Sequence, residues 1–412
     1  MRHPRLRPLI AAALVLSAAL VVAGAQRPGV FNGNRDHPAI RYSTAPVTDP
    51  VARLNAALEA GTASLSYDPA RGGYLASVLE ALTVPVSSQV LAFAETSLQA
   101  SKIRMHNPRA IYFTDQVSVA WVRGGDVLEL AAQDPVQGTV FYTAPMQASD
   151  RPRFRRDNQC LACHLSWDTL AVPGPVLQTV FPRKSDRDYA DGGFTEHRLP
   201  VAQRWGGWFV TGAQVPARHM GNQPMLQPTP RTGPPKALRT VGGEFDTTGY
   251  LTLTSDVAAL LVLDHQVHAT NLITRLNWEY RAGTAASQAE AADALAEYLL
   301  FADEAPLPRP VQGTSGFAEA FAAQGPHDRR GRTLRDLQLE GRTFRYPLSY
   351  MVYSPMYGAL PLEARQAMAS RLTAVLSGWQ TRPASAHLTA PVRQAIREIV
   401  EETAPGVLTP TP

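Results

Sequence analysis

At 412 residues, with 45% apolar and 18% charged side chains, the chain is long enough for two or three domains and apolar enough to bury a large core, which excludes disorder throughout. The formal charge is +4, but Arg2, Arg5 and Arg7 precede the first apolar run and the remainder is near neutral, which argues against a nucleic-acid binder. Two cysteines rule out a disulfide-stapled scaffold.

Met1 to Arg7 is basic, Leu9 to Val22 is an unbroken run of small and aliphatic residues, and Ala23-Gly24-Ala25 offers a small-x-small site before Gln26. That order is the pattern of a secretory signal over residues 1–25, and its apolar run is shorter than the roughly 20 residues a spanning helix needs. The expectation is a periplasmic protein with no stable membrane span after cleavage, tethered to the membrane only if the signal is retained.

Residues 26–150 read as an N-terminal α+β region. Pro, Gly and Asn crowd the stretch up to Pro50 without periodicity, then Val51 to Ala60 and Tyr74 to Leu82 carry helical spacing. Between Gln89 and Tyr142 the period changes: Val90 to Ala94, Ile111 to Phe113, Val117 to Val122, Val127 to Ala131 and Thr139 to Thr143 are short β-branched and aromatic runs broken by Asn-Pro, Gly-Gly and Asp-Pro. A small antiparallel sheet is predicted. Residues 151–248 have few periodic elements and many Pro, Gly and aromatic residues, the composition of loops that wrap something. Residues 249–412 are predicted helical, with Ser255 to Arg281 placing Val257, Leu260, Leu261, His265, His268 and Leu272 on one core-facing stripe, and further helices over 289–301, 316–323, 361–376 and 391–402. The fold class expected is α+β: a small antiparallel β region, an irregular segment, then a helical C-terminal part.

Chemistry concentrates in Cys160-Leu161-Ala162-Cys163-His164, which uses both cysteines of the chain. Two thiols three residues apart suit thioethers to the two vinyl groups of a haem, and the next residue offers an imidazole to the iron. The chance expectation of this pentapeptide is about two in ten thousand. A redox disulfide between Cys160 and Cys163 would want a βαβ context that is missing, and a zinc site would have to recruit His197 and His219. One haem c bound through Cys160 and Cys163, with His164 as axial iron ligand, is the reading adopted.

The opposite side of the iron is open to several residues. His219 is the first candidate for second axial ligand, Met220 is adjacent, His265 lies on the helix stripe, and Met225, His197 and an empty position remain. Arg151, Arg153, Arg155 and Arg156 before the motif, and Arg183, Lys184 and Arg187 after it, are potential partners of haem propionates or a solvated basic surface. Trp205 and Trp208 suit either a porphyrin face or ordinary core. No nucleophile elbow, zinc helix or Walker-type loop is present, so hydrolase readings have no residue support.

Together with Gly192-Gly193-Phe194, His197-Arg198, Arg204 to Gly212, Arg218 to Asn222, Asp264-His265-Gln266 and Phe344 to Tyr353, the motif resembles that of exported bacterial proteins called cytochrome c domain-containing proteins, over roughly Pro108 to Glu402. The resemblance implies covalent haem and electron transfer to or from a redox partner protein, with no substrate assigned. The β-like runs before the motif and the length of the chain depart from the simple all-helical cytochrome c fold. The leading expectation is a periplasmic monohaem c-type electron carrier. A haem-dependent peroxidase-like enzyme and a haem-based ligand sensor are the alternatives, and whether the protein is an enzyme is left open.

Overall fold

The computed structural model describes residues 35–185, 191–227, 233–379 and 383–411, so the expected signal over residues 1–25 lies outside the described residues. Helix α1, Pro50–Glu59, begins where the Asp49 carboxylate accepts from the N–H groups of Val51 and Ala52, and α2 is Leu75–Ala81. Six strands follow, β1 Val90–Ala92, β2 Arg109–Phe113, β3 Val117–Trp121, β4 Val127–Asp134, β5 Gly138–Pro145 and β6 Arg155–Arg156. They pair antiparallel in sequence order, as one meander.

Alternation along the strands divides the two faces of this sheet. Val117, Val119 and Trp121 of β3 join Val51, Leu54, Leu75 and Val78 of α1 and α2 in one cluster. Phe113 and Phe141 point the other way, toward the helical half. The turn into β5 needs glycine: Gly138 has φ +89°, and a Cβ there would lie 2.5 Å from Thr274 Cγ2.

Beyond the sheet come the short helix α3, Leu161–His164, and a strand pair of β7, Gln178–Val180, with β8, Gly192–Phe194. The rest is mainly helical: α4 Val257–Ala282, α5 Ala285–Leu299, α6 Phe317–Ala323, a hairpin of β9 Leu337–Glu340 and β10 Arg342–Phe344, then α7 Pro355–Gly358, α8 Leu362–Leu376 and α9 Ala390–Thr403. The fold is therefore mixed, with a six-stranded antiparallel sheet and nine helices among the described residues, most of them C-terminal.

Helix α4 is the centre of the molecule. Its first turn is capped by Asp256, which accepts from Ala258 N–H and also from the N–H groups of Thr314 and Ser315. The periodicity predicts one buried stripe, but every residue from Val257 to Thr274 is buried. The difference arises because the polar positions on the remaining faces are covered by other parts of the chain, several of them through hydrogen bonds, and not solvated. Asp264, His268, Asn271 and Arg275, at spacings of four, three and four, form one such face. Leu170, Pro175, Phe194 and Trp205 lie along it: Asn271 Nδ2 donates to Pro175 O at 3.0 Å, Arg275 Nη1 donates to Leu170 O at 3.0 Å, the His268 ring lies 4.9 Å from that of Phe194, and Asp264 accepts from Trp205 Nε1 at 3.0 Å.

Candidate functional site

The Cys-x-x-Cys-His segment is a single turn pinned at both ends. Asp157 donates its N–H to Phe141 O on β5 at 2.9 Å, and its carboxylate accepts from Gln159 N–H to start a 3-10 turn over Asn158–Cys160 that continues into α3. Leu161 and Leu165 are buried with Ile40, Tyr42, Phe141, Val172 and Trp278. This leaves Cys163 exposed and Cys160 half-buried, both as free thiols. Burial pushes the Cys160 thiol up to about 12, so it stays protonated at neutral pH.

His164 is oriented by main chain. Its Nδ1 lies 2.9 Å from Gly174 O, and Gly174 N–H donates back to His164 O at 3.0 Å. A carbonyl only accepts, so Nδ1 carries the proton and the lone pair is on Nε2, the atom that would face an iron. Burial lowers the imidazole to about 4, which keeps it neutral, as a metal ligand must be. The Phe141 ring packs on it with centroids 4.6 Å apart. Gly174 itself has no room for a side chain, since a Cβ would sit 2.0 Å from Asn271 Oδ1.

Cys160, Cys163 and His164 are thus brought together; His219 is not brought to them. His219 lies in the loop after Trp208, with its ring 5.8 Å from that of Trp205, which is bonded to Asp264. His164 is bonded to Gly174, which meets Asn271, seven residues on from Asp264, or about 10 Å along the helix at 1.5 Å per residue. The tautomer differs too. Gly221 N–H donates to His219 Nδ1 at 3.1 Å, so Nδ1 is the acceptor and the proton is on Nε2, which is buried without a partner. The expectation of His219 as second axial ligand meets this obstacle: its outer nitrogen is a donor, the opposite of His164. Burial lowers His219 to about 4 as well. Met220, the neighbouring candidate, has its sulfur 3.8 Å from Thr179 Oγ1.

His265 has both ring nitrogens committed. Nδ1 is 2.9 Å from His197 Nδ1 and Nε2 is 2.6 Å from Ser349 Oγ, with the ring stacked on Phe301 and Tyr298. It is a core residue, and His197, its partner, leaves Nε2 buried without a bond. Trp205 and Trp208 are core as well.

Sequence reasoning missed the buried polar knot around Asp264. This carboxylate accepts from Arg204 Nη1 at 3.1 Å, Trp205 Nε1 at 3.0 Å and Thr195 Oγ1 at 3.3 Å, while Arg204 also donates to His197 O and Leu199 O. Burial raises Asp264 to about 6. The visible signal was an aspartate inside an apolar helical run, paired with an Arg-Trp dipeptide that reads as loop.

Among the described residues, no group of three or more His, Cys, Asp and Glu side chains is arranged to hold a metal ion. A cavity of about 760 Å³ opens beside His219, lined also by Arg218, Lys184, Gln223 and Pro235. In comparisons with known proteins, no family model, no curated protein and no solved structure matches the chain.

Proposed function

We propose that the chain is an exported monohaem c-type protein that transfers single electrons. The observation that carries the reading is the pairing of an accessible Cys160/Cys163 turn with an imidazole, His164, whose proton is fixed on Nδ1 by the Gly174 carbonyl. A haem bound there would supply an iron cycling between ferric and ferrous states. Cys160 and Cys163 would hold it as thioethers, each S–H adding across one vinyl double bond, and His164 Nε2 would be the iron ligand; the Gly174 carbonyl fixes the angle of that ring, and Leu161 and Leu165 anchor the turn that carries both sulfurs.

Further support is compositional and local. The residues fit a haem because Trp167, three positions after His164, leaves 78% of its surface exposed and offers apolar area beside the motif. The N-terminal pattern provides export to the oxidising compartment in which such attachment occurs. Among the described residues no helix is long and apolar enough to cross a membrane. The partner is another redox protein.

The test is maturation in a host that attaches c-type haem. Covalent haem should survive denaturation of the exported chain, and the Cys160→Ala/Cys163→Ala variant should lose it. A wild type without retained haem would overturn the reading.

A further inference from the structure

The carbonyl that orients His164 belongs to Gly174, and the side chain of Asn271, fully buried on α4, touches the chain on either side of it. Asn271 Nδ2 donates to Pro175 O at 3.0 Å, one peptide beyond the Gly174 carbonyl. Asn271 Oδ1 stands 2.0 Å from where a Gly174 Cβ would be, and adding one C–C bond puts it within about 3.5 Å of the Gly174 Cα, the atom next to the same carbonyl. Oδ1 is buried and accepts from no N–H or O–H among the described residues, so its contact is with the glycine Cα. The chain itself closes the remaining freedom: Gly174 N–H is bonded to His164 O, and the proline ring fixes φ at residue 175. A second anchor of this loop on α4, Arg275 Nη1 to Leu170 O at 3.0 Å, lies four residues earlier and does not flank the carbonyl.

We propose that Asn271 is a positioning residue that sets the reduction potential of the haem iron, by holding the Gly174 carbonyl in line with His164 Nδ1–H. The inference rests on the haem reading, in which Nε2 of this imidazole is the iron ligand. A hydrogen bond from Nδ1–H to a fixed acceptor makes the imidazole a stronger donor at Nε2, and stronger donation favours ferric over ferrous iron and lowers the potential. Without Asn271, Gly174 regains the torsional range of a glycine, its carbonyl leaves the line of the Nδ1–H bond, the bond weakens and the potential rises. Among the described residues no hydrogen bond joins Asn271 to Cys160, Cys163 or His164, so covalent attachment does not require it.

Potentiometric titration of the exported holoprotein tests it, with haem retained after denaturation measured on each variant. Asn271→Leu, similar in size and unable to hydrogen-bond, should keep its haem and move the one-electron equilibrium at least threefold toward ferrous iron, about 28 mV upward on the roughly 59 mV per tenfold of such a couple. Asn271→Ser, too short to reach Pro175 O and adding no apolar bulk, should shift it the same way, and serves if the leucine variant does not fold. Arg275→Met, which removes the loop's other bond to α4, should lower the urea midpoint and leave the potential within threefold of wild type. Haem retained with a potential that moves less than threefold or falls in the Asn271 variants, or an equal rise in Arg275→Met, would overturn the inference and leave the haem reading standing. A wild type without retained haem would overturn both.

Discussion

His164 and Gly174 are bonded to each other twice, Nδ1–H to carbonyl at 2.9 Å and N–H to carbonyl at 3.0 Å, so ten residues of chain close into a loop that fixes the imidazole. The loop is in turn seated on α4, where Gly174 meets Asn271. The side chain proposed to face iron is thus positioned by backbone and by the central helix.

Gly174→Ala tests that seating. A Cβ 2.0 Å from Asn271 Oδ1 forces the buried Asn271 amide, and with it its bond to Pro175 O, or else the loop to shift, with an expected loss of about 1–3 kcal/mol in urea unfolding. The paired variant Gly174→Ala/Asn271→Gly should recover part of it. Unchanged stability in Gly174→Ala would mean that the contact is not tight in solution.

If the proposed haem is bound, the two histidines should behave differently toward its iron: His164→Ala is expected to change the g values of the wild-type electron paramagnetic resonance spectrum, while His219→Phe leaves optical and magnetic spectra as they are. This follows from the proton positions, Nδ1 in His164 and Nε2 in His219. A spectrum altered by His219→Phe would restore that residue to the iron.

Acid should destabilise the protein through its buried imidazoles. Burial lowers His219 to about 4, and His265 and His268 to about 3, against about 6.5 in the unfolded chain. A lowered histidine favours the folded state fully above about 6.5, and that contribution is lost as the unfolded chain takes up protons below it, at up to about 1.4 kcal/mol per pH unit for each residue. Asp264, raised to about 6, acts oppositely: its contribution is complete below about 3.9 and fades as pH rises through about 6. Three histidines outweigh one carboxyl, so the urea midpoint should fall between pH 6.5 and 4. A midpoint that rises over that range would contradict these environments.

Asp264→Asn should cost about 3–5 kcal/mol, because Arg204, only 1% exposed, is left without its counter-charge. Replacing both, Asp264→Leu with Arg204→Met, is expected to be less damaging than the single change. Denaturant midpoints of the three variants check this, and an additive double variant would show that the two residues do not interact.

Local signals were legible where structure is local. The helix after Asp49-Pro50 and the strands broken by Gly-Gly and Asp-Pro appear close to their expected limits, because capping and period-two alternation are properties of neighbouring residues. The surroundings of α4 were not legible. Its aspartate, histidines and asparagine meet residues about 30 to 96 positions away, such as His268 with Tyr298 and Asn271 with Pro175, and no short pattern encodes those distances. Residues 151–248 looked irregular for the same reason: β7 and β8 are three residues each and are recognisable only once paired. The Cys-x-x-Cys-His turn could be read directly, whereas the proton positions that separate His164 from His219 depend on Gly174 and Gly221 in the folded chain.

The ring closed between His164 and Gly174 also suggests what evolution is free to alter nearby. Substituting side chains on its outer arc, at exposed Trp167 or Asp168, leaves both bonds between His164 and Gly174 intact. Adding or deleting one residue shifts which carbonyl meets the imidazole, so variation there should take the form of exchanged residues at constant loop length.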